Sequence, residues 1–100
     1  MNNIVGNWKG NLEGEGNMTV KPAQDGYSVS LDVSAPGCTG SFEGSGTLAA
    51  NTLKLTKTED GQTCVLKVEF SDSQATVTED GCMSYHGAAC GFSGSLKKIN

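Results

Sequence analysis

One hundred residues make one domain with a modest core, a size at which cross-links often supplement packing. The formal net charge is −4, and the seven basic residues are all Lys, scattered at Lys9, Lys21, Lys54, Lys57, Lys67, Lys97 and Lys98. That scatter excludes the basic stripe of a nucleic-acid binder, and no apolar run approaches the roughly 18 residues of a membrane-spanning helix.

Period-two alternation dominates the chain. Ile4, Gly6, Trp8, Gly10 and Leu12 share one face of the first segment, opposite Val5, Asn7, Lys9, Asn11 and Glu13. Met18 and Val20 continue the pattern, followed by Tyr27, Val29, Leu31 and Val33. Cys38, Gly40, Phe42, Gly44, Gly46 and Leu48 alternate next with Thr39, Ser41, Glu43, Ser45 and Thr47. Leu53 and Leu55 come after them, then Cys64, Leu66, Val68 and Phe70, then Ala75 and Val77, and last Phe92, Gly94 and Leu96. Turn chemistry at Asp25-Gly26, Pro36-Gly37, Asp60-Gly61 and Asp80-Gly81 separates the runs.

The reading is an all-β chain of eight strands, each with one apolar face. Such strands need closure or a second layer, and a compact antiparallel up-and-down barrel removes exposed edges. A two-sheet sandwich is the alternative. Trp8, Leu31, Phe42, Leu66, Val68, Phe70 and Phe92 are expected inside. The word aromatic-x-Gly occurs at Trp8, Phe42 and Phe92, and is read as a ring packed over a neighbouring Gly rather than as a repeat. Gly6-Asn7-Trp8 also resembles the Gly-x-Trp opening of lipocalin-type barrels.

Four Cys in a short chain point to an oxidising compartment, and the absence of Cys-x-x-Cys argues against a thioredoxin-type redox site. No signal peptide is visible, because the first strand begins by Ile4. The expectation is a periplasmic or secreted chain after signal removal, with a cytoplasmic protein carrying free thiols as the alternative.

A meander gathers the loops after strands one, three, five and seven at one rim. Those loops, 13–17, 35–37, 58–62 and 80–91, bring all four Cys together with Glu13, Glu15, Glu59, Asp60, Glu79 and Asp80. A turn near Ser71–Ser73 sets Val68 opposite Val77 and Cys64 opposite Gly81–Cys82, within the reach of about 7 Å that a disulfide needs. The expected bonds are Cys64–Cys82 and Cys38–Cys90; Cys38–Cys64 with Cys82–Cys90 stays open. Cys82, His86 and Cys90 are evenly spaced, which in a reducing compartment suggests zinc, but the spacing matches no standard zinc motif. No metal or cofactor is expected.

The longest connection, 80–91, holds the sole His and is the expected contact loop, since long loops on rigid scaffolds often carry function. Its candidate residues are Tyr85, His86 and Ser84, with Glu79 and Asp80 beside them. The competing reading makes Tyr85 a plug in the barrel end and His86 a bystander. Cys82-x-x-Tyr85-His86-Gly87-Ala88-x-Cys90-x-Phe92-x-Gly94 resembles a C-terminal motif of small bacterial envelope proteins, some of them lysozyme-inhibitor-like, of the LprI type. Leu96 stands where an aromatic is common in such tails, and a different small residue is frequent at Cys90. The Ser-Gly-x-x-Tyr type loop of membrane-bound c-type lysozyme inhibitors is not matched.

The resemblance implies an envelope binding or inhibitor module, and the acidic rim suits a basic partner such as a lysozyme. The alternatives are a small-ligand barrel and a structural surface protein. An enzyme is the weakest reading: there is one His, with no evident nucleophile beside it and no phosphate-binding loop. A monomer or weak dimer is expected.

Overall fold

The computed structural model describes residues 4–87 and 89–99. Among them, nine strands follow the predicted alternation: β1 (Gly6–Asn11), β2 (Glu15–Ala23), β3 (Gly26–Ala35), β4 (Cys38–Gly46), β5 (Leu48–Ala49), β6 (Thr52–Glu59), β7 (Gln62–Ser71), β8 (Gln74–Asp80) and β9 (Gly94–Lys98). They form one antiparallel sheet in the order β4-β3-β2-β1-β9-β8-β7-β6-β5, curled into a nearly closed barrel. Chain neighbours pair except β4 and β5, which are the two edges of the sheet, and β9 joins the two halves by lying between β1 and β8.

Two details go beyond the eight-strand expectation. A short β5 pairs Leu48 with Leu53 and Ala49 with Thr52, around a two-residue turn in which Ala50 and Asn51 have φ of 51° and 69°. Two positive φ values make a tight hairpin turn that usually selects Asn-Gly or Asp-Gly, so Ala50-Asn51 gives little warning of it. The ladder also stops short of closure, since no backbone pairing joins β4 to β6 among the described residues. The seam is narrow at one end, where a side chain on Gly46 would run into the Lys54 carbonyl.

Every residue expected inside is buried, from Leu31 and Phe92 at 0 % exposure to Phe70 at 6 %. Trp8 lies against Phe70 with ring centroids 5.1 Å apart, and its indole N–H donates to the Ile4 carbonyl at 3.0 Å. That bond satisfies the one polar atom the indole brings into the core. The aromatic-x-Gly words divide in two. The Phe42 ring does cover Gly44, but Gly10 and Gly94 instead let β1 and β9 approach closely. A Cβ on Gly10 would meet the backbone of Ser95 and Leu96, and one on Gly94 that of Asn11 and Leu12.

The hairpin register sets Val68 opposite Val77, as the turn spacing predicts. Two disulfides follow, Cys64–Cys82 with Cα atoms 4.4 Å apart and Cys38–Cys90 at 6.0 Å. No described helix is long and apolar enough to cross a membrane.

Candidate functional site

The strand order brings the β1–β2, β3–β4, β6–β7 and β8–β9 connections to one rim, which carries both disulfides. Glu13, Glu15, Glu59, Asp60 and Asp80 are exposed there, and Glu79 is half-buried. Toward the other end charges of both signs occur, with Asp25 and Asp72 exposed in the β2–β3 and β7–β8 turns. Lys9 is level with Lys97, which is itself level with Gln74 beside the far β7–β8 turn, and Lys21 lies near the β2–β3 turn. The carboxylates are therefore concentrated at the rim that carries the disulfides.

Residues 83–87 form a lid over the acidic rim. Cys64–Cys82 pins the start of the lid to β7, and Cys38–Cys90 pins its end to β4. From Cys82 the chain makes one 3-10 turn, Met83–Tyr85, then runs extended through His86. There it forms an antiparallel bridge with Gly40 on the free edge of β4, and the Gly87 N–H donates to the Thr39 carbonyl at 3.2 Å. Gly40 and Gly87 permit this contact. A Cβ on Gly40 would strike His86, and one on Gly87 would strike the Cys38 sulfur. The lid thus enters the seam that the β-ladder leaves open.

Tyr85 fills the wide end of that seam. Its ring meets Phe42 edge-on with centroids 5.5 Å apart, and its hydroxyl donates to Glu59 Oε1 on β6 at 2.8 Å. The Lys57 ammonium lies 5.8 Å from the Tyr85 ring centroid and 5.9 Å from that of Phe42, and donates across the seam to the Glu43 carbonyl at 3.3 Å. Partial desolvation, the Glu59 hydrogen bond and the charges of Glu59 and Asp60 all push the Tyr85 phenol above its usual range.

His86 faces inward, with its side chain 3 % exposed. Nδ1 lies 2.6 Å from the Gly87 carbonyl and Nε2 lies 2.9 Å from Glu79 Oε2. Both partners are acceptors, so both bonds are made only when each ring nitrogen carries a proton. The ring also meets Phe92 edge-on at 5.0 Å. Burial pulls the His86 pKa down, but the Gly87 carbonyl, the Glu79 hydrogen bond and the charges of Glu79 and Glu13 outweigh it, and the net shift is upward.

Glu79 serves a second donor. Its Oε1 accepts the Phe92 N–H at 3.0 Å, while Glu13 Oε1 accepts the neighbouring Gly91 N–H at 3.0 Å. Glu13 N–H in turn donates to the Gly91 carbonyl at 3.2 Å. One small network therefore joins the lid, β8, the β1–β2 loop and the start of the final segment.

Of the residues singled out from sequence, Glu79, Tyr85 and His86 are brought together by this network and its seam contacts. Asp80 stays exposed at the end of β8, and the Ser84 side chain and Ala88 lie outside the described residues. His86 is committed to its own chain through both nitrogens, so it is not a free group aimed at a partner.

Sequence reasoning missed Glu13 as a network member and Met83 as a surface feature. Met83 is 65 % exposed at the lid apex. The signal for it was its place between two half-cystines, beyond the reach of the strand alternation. Outside the lid, an open groove of about 580 Å³ runs along β3 and β4 past Tyr85, lined by Asp32, Ser34, Thr39 and Ser41. Set against protein-family models, curated proteins and solved structures, the chain matches none.

Proposed function

We propose that this chain is a non-catalytic binding module of the periplasm or the extracellular space, which holds a basic protein such as a lysozyme against its acidic rim and lid. The observation that carries this reading is the Met83 side chain, 65 % exposed on a doubly cross-linked lid and flanked by Asp80 and the Tyr85–Glu59 pair. An exposed apolar side chain among carboxylates suits a cationic surface: the carboxylates steer the encounter, and the apolar contact slows release. A lid fixed at both ends loses little freedom on binding. All four Cys are in disulfides, which favours an oxidising compartment. The resemblance of the 82–94 motif to lysozyme-inhibitor-like envelope proteins supports the choice of partner.

His86 has both nitrogens bound within its own chain, which argues against a general base. The interior is occupied by Trp8, Phe42, Phe92, Met18 and Leu31, so a ligand carrier would have to use the outer surface. The test is binding of a c-type lysozyme by calorimetry and inhibition of its lytic activity. Micromolar or tighter binding that weakens with salt is expected, with Met83→Ala raising Kd roughly tenfold. Absence of binding to lysozyme and to other cationic proteins at micromolar concentration overturns the reading.

A further inference from the structure

Lid closure depends on one ionisable group. Among the described residues, the contacts that hold the 83–87 arch to the barrel between its two cystines are few. They are the Gly40–His86 bridge, the Gly87-to-Thr39 bond, the Tyr85 contacts with Phe42, Glu59 and Lys57, the His86 ring against Phe92, and the His86 Nε2 bond to Glu79, with Nδ1 bonded to Gly87 within the arch. Only the two bonds of the His86 ring change with pH near neutrality, and the one to Glu79 is the link to the barrel. We propose that His86 is a proton-operated latch: doubly protonated it holds the lid in the seam, and on losing one proton it lets the arch lift while both cystines keep it tethered.

The argument rests on donors and acceptors. A neutral imidazole has one N–H, whereas His86 faces two acceptors and no donor. After deprotonation, one nitrogen lone pair must point at an oxygen lone pair, either that of Gly87 or that of Glu79. A 3 % exposed side chain has little water to take up the lost bond.

The surroundings amplify the loss. Glu79 faces the ring from β8 and Glu13 from the β1–β2 loop, and these two carboxylates flank Gly91. Asp32 of β3 lines the outer groove that His86 borders. β4 contributes only uncharged Thr39, Gly40 and Ser41 there, and the Cys38–Cys90 pair does not titrate. On the lid itself Tyr85 is the neighbour, with Glu59, Asp60 and Lys57 beyond it. Every ionisable group immediately facing the ring is therefore acidic. The imidazolium lies against Glu79 and is favoured by the charges of Glu79 and Glu13, consistent with the upward shift of its pKa; Lys54 and Lys67 border Glu79 in a separate pocket along β6–β8.

The latch is detectable without any partner; its effect on lysozyme capture rests on the proposed rim reading. The closing experiment uses the whole chain. Ring-proton NMR of His86 is followed against pH in the wild type and in Glu79→Gln, together with amide protection of Gly87 and Phe92, corrected for intrinsic exchange. The expected midpoint lies above 6.5, the ordinary histidine value, and falls in Glu79→Gln. Wild-type protection at Gly87 and Phe92 should drop across that midpoint, and in His86→Gln it should be flat with pH. If His86→Gln fails to fold, the wild-type and Glu79→Gln titrations decide alone.

A midpoint at or below 6.5, one indifferent to Glu79→Gln, or wild-type protection that is constant across the titration overturns the latch. A parallel titration with c-type lysozyme separates the two claims. A working latch with no lysozyme binding supports the switch and removes that partner. Lysozyme binding whose affinity ignores the His86 midpoint removes the coupling between switch and surface.

Discussion

The Tyr85 hydroxyl donates to Glu59 at 2.8 Å, tying the lid to β6 across the one gap in the β-ladder. The lid's next residue, His86, is bound to β4 on the other side of that gap. The loop therefore acts as a stitch between two strands that share no backbone pairing.

Tyr85 is half-buried, so its replacement separates a plug from a contact residue. Tyr85→Phe removes only an exposed hydrogen bond and should leave the melting temperature within a few degrees of wild type. Tyr85→Ala also removes the Phe42 contact and should loosen the lid while the barrel stays folded. Circular dichroism checks the fold, and calorimetry against lysozyme should show Kd rising roughly tenfold or more if the ring also touches the partner. Global unfolding by Tyr85→Ala would mean that the ring is structural.

The disulfides should differ in weight. Chain-entropy arguments give about 4 kcal/mol for Cys38–Cys90, with a sequence separation of 52, and about 3 kcal/mol for Cys64–Cys82, with a separation of 18. Paired Cys→Ala variants, unfolded in denaturant, are expected to rank in that order. Loss of Cys38–Cys90 should also raise exchange at Gly87 and Phe92, because it frees the end of the lid. Intact-mass counting of native protein should find no free thiol.

Two glycines give a contrast between lid and barrel. In Gly10→Ala the new methyl meets β9 backbone, which cannot step aside without breaking the β1–β9 pairing, so a loss of about 1–3 kcal/mol or more is expected. In Gly40→Ala the methyl meets His86 on the lid, which can lift. Global stability should then fall less, and the His86 midpoint should move toward its ordinary value. Denaturant titration and ring-proton NMR on the same samples check both outcomes.

The pH dependence of stability has a definite sign. The folded pKa of His86 is raised, so its contribution is fully present below the unfolded value and is lost as pH rises through the folded one. The unfolding free energy should therefore fall as pH rises from about 6.5 to that midpoint and level off above it. Urea unfolding at stepped pH, compared with His86→Gln, should show this fall in the wild type alone.

Asp80 and Asp60 are exposed at the rim. Reversing both to Lys should slow association with a cationic lysozyme and flatten its salt dependence, with little effect on the melting temperature. Stopped-flow rates at several ionic strengths check this. An unchanged association rate would place the contact surface elsewhere.

The barrel was legible because inward residues recur at every second position within each strand, a pattern with one geometric reading. Cys64–Cys82 was legible for the same reason, since a hairpin counts residues equally on both sides of its turn. The gap beside β4 was not, because it depends on Ala50-Asn51 adopting a turn that neither residue advertises. His86 was marked by being the sole histidine, but its inward orientation follows from Gly40 and Gly87 making room, a fact of tertiary packing. Glu13 and Glu79 are far apart in sequence and meet only through the amides of Gly91 and Phe92.

The pairing of β9 with both β1 and β8 bears on how the chain reaches this state. All other ladders join consecutive strands, so β1–β4 and β5–β8 are two local meanders whose hairpins close cheaply. β9 brings together partners from opposite ends of the chain, and its ladder to β1 must wait for nearly everything between them. The five residues Gly94–Lys98 are thus a keystone: added late, they turn two open, edge-exposed half-sheets into one continuous wall. Until they arrive, the edges of β1 and β8 are open to other chains, so aggregation during refolding should track the docking of this short strand.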